Sequence, residues 1–82
     1  MRLAKYVKFR EEKFGGVLFE TRSERVYTLN PAAAAVIREI ESGRAEDEIV
    51  PTLRARFDAG DGVIEQDVFA FLDTLRREGL VA

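Results

Sequence analysis

The run Arg25-Val26-Tyr27-Thr28-Leu29-Asn30-Pro31-Ala32-Ala33-Ala34 decides how this chain folds, because its conformational preference changes halfway along. Its first half, Arg25–Leu29, is rich in β-branched and aromatic residues, which is typical of a strand. Asn30 is a favoured N-cap, and Pro31 is favoured at the first position of a helix. The run therefore predicts a strand that ends at Leu29 and passes directly into a helix.

Two further strands are predicted before this run. Residues 7–10 alternate apolar and basic side chains, which is the period-two pattern of a half-buried strand. Residues 17–19 form a second apolar stretch, and Gly15 and Gly16 before it are expected to supply positive φ for a tight link. Residues 20–24 are polar and indicate a short hairpin loop. Together these patterns predict a three-stranded antiparallel meander.

Apolar residues at helical spacing follow the run and predict three helices. The first is expected to end near Gly43, which suits a C-terminal cap. The second begins at the acidic residues 46–48, and Pro51 within it is expected to kink it or to move its start later. The third covers about residues 64–78. The apolar positions of the three helices are, in order, Ala33, Val36, Ile37 and Ile40; Ile49, Val50, Leu53 and Phe57; and Ile64, Val68, Phe71, Leu72 and Leu75.

The predicted order of three strands and then three helices fits one domain over residues 1–82, because domains usually have about 100–200 residues. The predicted class is α+β, with a three-stranded antiparallel sheet packed on three helices in a winged helix-turn-helix-like arrangement. A chain of 82 residues builds only a small core, which leaves little room for a deep internal pocket.

The composition argues against an enzyme. The chain contains no cysteine and no histidine, so it has neither a thiol nucleophile nor the commonest general base and transition-metal ligand. Asp58 and Asp61 lie in a glycine-containing loop, but they lack the spacing of a calcium site. We therefore predict no catalytic residue and no bound metal.

Charge and hydropathy bear on location and partners. No apolar run reaches 18 residues and the N-terminus lacks the apolar segment of a signal peptide, so a cytoplasmic protein with no membrane contact is expected. Residues 1–30 carry seven basic and four acidic side chains, a net +3, whereas residues 31–82 carry six and eleven, a net −5. A winged-helix regulator that binds DNA is an alternative reading, although the acidic helical half argues against contact with phosphates and favours no nucleic-acid partner.

The third predicted strand ends the meander, so one of its sides has unpaired backbone N–H and C=O groups. It contains no proline and only one charge, at Arg25. Such an edge accepts an extended peptide as an added strand. It is equally compatible with cover by a helix or with pairing to a second copy, so a monomer and an edge-strand dimer both stay open. Phe69, beside the apolar stripe of the third helix, fits either a groove floor or a widened core contact.

The same residues resemble the PqqD-like family, the precursor-peptide recognition domains of pathways for ribosomally synthesised and post-translationally modified peptides. The resemblance rests on Gly16-Val17-Leu18-Phe19 and on the run from Arg25 to Ala34, and it covers about residues 7–81. Further matching residues are Ile37, Glu48-Ile49, Leu53, Phe57-Asp58, Asp67-Val68, Phe71-Leu72, Leu75 and Glu78-Gly79-Leu80. Ala45 stands where family members often have a capping threonine, and Pro51 is also atypical.

The resemblance implies a non-catalytic adaptor without a cofactor. It implies that a leader peptide adds to the third strand, in a groove shared with the third helix, and is delivered to a modifying enzyme such as a radical SAM enzyme, a cyclase or a leader peptidase. The implied peptide-binding residues are Arg25, Val26, Tyr27, Thr28 and Leu29 on the strand and Asp67, Phe71, Thr74 and Leu75 on the helix. Periodicity also assigns Phe71 and Leu75 to the core. A subunit that only stabilises its enzyme is a further alternative.

Overall fold

The computed structural model describes residues 1–57 and 63–82, except for the side chains of residues 63 and 64. The predictions for Asp58, Asp61 and the side chain of Ile64 lie outside the described residues. The elements are β1 (Val7–Glu12), β2 (Gly15–Glu20), β3 (Arg25–Leu29), α1 (Pro31–Glu41), α2 (Glu46–Arg56) and α3 (Val63–Arg77). The predicted order and the α+β class are confirmed.

The three strands form one antiparallel sheet in the order β1-β2-β3. The link between β1 and β2 differs from the prediction, because Lys13 and Phe14 make the turn and both glycines belong to β2. Only Gly15 has a positive φ, of 142°. A Cβ atom there would lie 2.2 Å from the carbonyl oxygen of Leu29, so glycine lets β2 lie against the end of β3.

The turn between β2 and β3 is built around the buried carboxylate of Glu20. This carboxylate accepts hydrogen bonds from the backbone N–H groups of Arg22 and Ser23 and from the Ser23 hydroxyl. Glu24 completes the turn with a φ of 61°. The hydrogen bonds, of which the one from the Ser23 hydroxyl has the largest effect, lower the pKa of Glu20. The turn holds Arg25 directly opposite Glu20, which fixes β3 on the sheet.

The lowered pKa of Glu20 predicts that this turn loosens in acid. A carboxylate with a folded pKa below its ordinary value of 4.5 stabilises the fold above that pH and loses this contribution as the pH falls through the lowered value. An NMR titration from neutral pH to about pH 2 is expected to move the amide signals of Arg22 and Ser23 with a midpoint below 4.5. In Glu20→Gln these two signals should not titrate, and a wild-type midpoint at or above 4.5 would contradict the prediction.

Helix α1 begins as predicted. The Asn30 side chain accepts a hydrogen bond of 2.8 Å from the backbone N–H of Ala33, and Pro31 is the first helical residue. The buried side of α1 packs mainly on β2 and on α2. Its buried apolar residues are Ala34, Ala35, Val36, Ile37 and Ile40. The helix thereby covers one face of the sheet and leaves the other face of the sheet open.

Helices α2 and α3 complete the core. Pro51 does not delay α2, which begins at Glu46 and continues through the proline to Arg56, so the alternative of a later start is wrong. Helix α3 ends at Arg77, and Gly79 turns the chain with a φ of 70°. Leu80 then packs into the core and its carbonyl accepts a hydrogen bond from Ala4. This return of the chain places the C-terminal end of α3 near the start of β3.

Candidate functional site

The hydrogen-bond alternation of the sheet shows which backbone groups of β3 are open. The backbone N–H of Thr21 donates to the carbonyl of Tyr6 at 2.9 Å, so these two residues form a hydrogen-bonded pair just beyond the β1–β2 ladder. Hydrogen-bonded and non-hydrogen-bonded pairs alternate along an antiparallel ladder. The register runs without interruption from Val7↔Glu20 to Glu12↔Gly15, so alternation assigns the polar groups of Phe19 and Val17 to β1.

The intervening residues of β2, which include Leu18 and Glu20, therefore direct their polar groups to β3. Their partners on β3 are Tyr27 and Arg25, and by the same alternation Val26 and Thr28 direct their N–H and C=O groups away from the sheet. Between residues that the structure describes, no hydrogen bond outside the sheet ladder involves the backbone of Val26 or Thr28. The edge of β3 thus offers two donors and two acceptors in the spacing that an added strand needs.

Helix α3 flanks this edge and runs antiparallel to β3. At the start of β3, the Arg25 Nη1 atom lies 3.1 Å from the Oε2 atom of Glu78, the residue that directly follows α3. At the other end of β3, Asn30 borders a cavity together with Asp67 and Phe71 of α3. Residues three or four apart share a helix face. The side chains that face β3 are therefore Asp67, Phe71, Thr74 and Glu78, and we call the space between them and β3 the β3–α3 groove.

The cavity at the Asn30 end of the groove has a volume of about 290 Å³. Its walls are mostly apolar and come from α1 and α3, and the residues that line it are Asn30, Ala32, Ala33, Val36, Asp67, Val68, Ala70 and Phe71. A site that is mostly apolar and has a few polar groups at its rim suits one apolar side chain on an otherwise extended chain.

The predicted site residues differ in how they meet the groove. Arg25, Val26, Thr28 and Asp67 are exposed, whereas Tyr27, Phe71 and Thr74 are half-buried. The side chains of Leu29 and Leu75 are buried in the core, so they support the groove walls from below and offer no side-chain surface to a ligand. The Thr74 hydroxyl donates to the carbonyl of Ala70 at 3.0 Å.

Several residues that form the groove were missed by sequence reasoning. The sequence pattern gives Asn30 only a capping role and places neither Ala33 nor Ala70 at a site, although all three line the cavity. Glu78 lies one turn beyond Thr74, and that spacing was the available signal for its position. Phe69, by contrast, is exposed toward α2, where it borders a shallow depression with Glu46, Asp47 and Val50, and so it does not face β3.

Several charged side chains lie close to Arg25, at one end of the β3–α3 groove. The Tyr27 side chain has the largest effect on the pKa of Arg25 and the Glu78 carboxylate has a smaller one, and both raise this pKa. Arg22 lies over the ring of Tyr6, with 3.5 Å between its Cζ atom and the ring centroid. At the start of β3 each of these two arginines therefore has a carboxylate partner, which is Glu20 for Arg22 and Glu78 for Arg25.

Two kinds of feature are absent from residues 1–57 and 63–82. No group of three or more acidic side chains in this part of the chain lies close enough together to hold a metal ion. None of the helices described is both long and apolar enough to cross a membrane.

A three-stranded antiparallel sheet packed against three helices, with one unpaired sheet edge beside a helix-lined groove, defines a small α+β module. The chain belongs to the PqqD family: residues 15–81 match the family described as coenzyme PQQ synthesis protein D (PqqD). The family resemblance predicted from the sequence is therefore confirmed, and with it the assignment to the PqqD-like recognition domains.

Two curated relatives are similar to the chain. The PqqA binding protein of Azotobacter vinelandii is 38% identical over 58 residues, which cover 71% of this chain and 62% of the relative. The PqqA binding protein of Stutzerimonas stutzeri is 40% identical over 50 residues, which cover 61% of this chain and 53% of the relative. The chain thus spans between about half and two thirds of the length of these relatives.

Two solved structures have the same fold. TbiB1, solved in complex with the TbiA(beta) leader peptide, has a TM-score of 0.84 and 21% identity, over 98% of this chain and 93% of TbiB1. A lasso peptide synthetase B1, complexed with its leader peptide, has a TM-score of 0.80 and 23% identity, over 96% of this chain and 93% of the synthetase chain. At these identities the similarity establishes the fold.

Proposed function

We propose that this domain is a non-catalytic adaptor, which binds the leader of a ribosomally made precursor peptide and presents it to a modifying enzyme. The leader adds to the sheet as a fourth strand along β3. The observation that carries this proposal is the pair of open backbone sites at Val26 and Thr28, directly beside the β3–α3 groove. Backbone hydrogen bonds supply affinity for any extended chain, and the groove supplies selectivity.

The relatives support a peptide ligand. Two curated relatives are named as PqqA binding proteins, and the two solved structures of the same fold contain leader peptides. Both curated relatives are binding proteins by name, which favours a role in recognition over one in catalysis. The absence of cysteine and histidine from this chain points in the same direction.

The proposed mechanism assigns different contacts to the two ends of the β3–α3 groove. Residues of the leader that alternate toward the helices enter the β3–α3 groove, where Thr74 and Asp67 offer polar contacts and Phe71 an apolar wall. One apolar leader side chain fills the cavity beside Phe71 and anchors the strand. At the other end, an acidic leader group competes with Glu78 for Arg25. The proposed binding residues remain those predicted from the sequence, with Leu29 and Leu75 acting from below.

The proposed partners are a precursor peptide and the enzyme that modifies it, of the radical SAM, cyclase or leader peptidase type. In this proposal the domain binds the precursor and the enzyme in the cytoplasm, where ribosomes make the precursor. The adaptor itself uses no cofactor. A second copy that paired edge to edge would occupy the same strand, so self-association and leader binding compete. The domain over residues 1–82 acts as one unit in this proposal.

An NMR titration tests the proposal. The ¹⁵N-labelled domain is titrated with a synthetic leader segment of the precursor encoded beside its gene, and a scrambled peptide of the same composition is the control. The expected result is a set of saturable amide shifts concentrated in Arg25–Leu29 and along α3. The absence of shifts with a folded, monomeric domain, or equal shifts with the scrambled peptide, would contradict leader binding. Shifts confined to α2 would contradict strand addition at β3.

A further inference from the structure

The face of the sheet that points away from the helices carries an exposed apolar patch that the groove does not use. Side chains alternate between the two faces of a strand, and residues directly opposite one another share a face. The register therefore aligns Lys8, Phe19 and Val26 in one row across this outer face. The next row contains Arg10, Val17 and Thr28.

The first row is the more exposed one. Val26 retains 59% of its surface and Phe19 retains 38%, although both are large apolar residues. A depression of about 360 Å³ follows them across the sheet, lined by Lys8, Phe9, Arg10, Val17, Phe19 and Val26. The patch reaches the open edge at Val26, whose backbone faces outward in the plane of the sheet while its side chain stands on the outer face.

A strand added to β3 must extend these rows. The open backbone groups belong to Val26 and Thr28, so the residues of the added strand directly opposite them form hydrogen-bonded pairs with them. Paired residues have Cβ atoms about 4.5–5.5 Å apart and stand on the same face. The two added residues opposite Val26 and Thr28 therefore have their side chains on the outer face, and the residue between them points into the β3–α3 groove.

We propose that this outer face is a second recognition surface for the same peptide, with Val26 as its specificity-determining residue. The peptide residue opposite Val26 is apolar or aromatic and packs on the Val26 side chain and on the adjacent edge of Phe19. This inference rests on the proposed function, and it adds a selectivity that the groove alone does not provide. Alternate side chains of the bound peptide then contact the β3–α3 groove and the outer face of the sheet.

Apolar contact, and not charge, dominates at this position. Lys8 stands at the far end of the row, three strand spacings from the added residue, which is about 14 Å at about 4.8 Å for each spacing. That separation exceeds the Debye length of about 8 Å at physiological ionic strength. Val26 is the direct neighbour of the added residue, so its side chain decides which peptide residue is accepted.

A selection from random peptides tests the inference. A library of 12-residue peptides is selected by mRNA display on the wild-type domain, on Val26→Lys and on Phe14→Lys. Phe14 is an exposed apolar residue in the β1–β2 turn, beyond the ends of the strands and outside both rows of the outer face, so its variant is matched for the added charge. Wild type and Phe14→Lys are expected to enrich an apolar or aromatic residue at the same position. Val26→Lys is expected to enrich Asp or Glu there.

The outcomes separate this inference from the function on which it rests. Peptides selected on wild type should bind Val26→Lys about two- to fivefold more weakly, the size of a cross-strand pair effect. Identical residue preferences in the peptides selected on wild type and on Val26→Lys would overturn the proposed role of the outer face. They would not contradict the adaptor function. If no variant selects any peptide, the adaptor function itself fails. If Val26→Lys alone selects none, Val26→Thr decides: a preference for apolar residues as strong as in wild type overturns the inference.

Discussion

Thr28→Pro is expected to weaken binding of the leader segment by about tenfold to a hundredfold, while the domain stays folded. The backbone N–H of Thr28 faces away from β2, so proline removes no hydrogen bond of the sheet itself. Each hydrogen bond to the added strand is worth about 0.5–1.5 kcal/mol. The proline ring occupies the place of the amide hydrogen and keeps the peptide at a distance, so the neighbouring bonds at Val26 weaken as well. Isothermal titration calorimetry with the leader segment measures the loss.

The opposite edge of the sheet supplies a matched control. By the same alternation the N–H of Glu11 on β1 faces away from β2, and the Glu11 side chain is exposed and pairs with Arg38 on the surface. Glu11→Pro therefore places the same ring on the other edge at a cost to stability similar to that of Thr28→Pro. Its leader affinity is expected to equal that of wild type. Equal losses for both prolines would show general destabilisation, and no loss for either would exclude β3 as the binding edge.

The path of the chain could be predicted from the sequence because its decisive signals are local. The change from β-branched residues to Asn30-Pro31 marks the boundary between β3 and α1, and the structure confirms it with the capping hydrogen bond to Ala33. The turn chemistry was less readable. Gly15 and Gly16 indicated a turn, but the space they leave is filled by the Leu29 carbonyl and by the ring of Phe9, which are neighbours only in three dimensions.

The site was less predictable than the fold for the same reason. Sequence periodicity gives the two faces of a strand but not which backbone groups point outward along its edges. That choice follows from the pairing of Tyr6 with Thr21, fifteen residues apart. The partnership of Arg25 with Glu78 spans 53 residues and depends on the chain turning back at Gly79. Buried positions such as Leu75 also match both a core and a groove pattern, so only the packing separates these roles.

Ala70→Phe is expected to weaken leader binding by about tenfold to a hundredfold, because it fills the cavity that we propose as the site of the anchoring side chain. Ala70 is exposed on α3 and borders the cavity of about 290 Å³ between α1 and α3. Burial of one apolar side chain of the size of valine or leucine is worth about 1.5–3 kcal/mol, and that contribution is lost when a phenyl ring occupies its place. Fluorescence anisotropy with a labelled leader segment measures the change.

Gln66→Phe is the matched control, because it adds the same ring to an exposed position of α3 that does not line the cavity. It should bind the leader as wild type does. Equal affinities for wild type and Ala70→Phe would show that the cavity takes no part in recognition.

The Thr28→Pro and Ala70→Phe variants should weaken binding in different ways. Thr28→Pro removes backbone pairing and should affect every extended peptide. Ala70→Phe should instead penalise leaders with a large anchoring residue, so a leader with alanine at the anchor loses little further affinity in this variant. A loss that ignores the anchor residue would place the leader outside the β3–α3 groove.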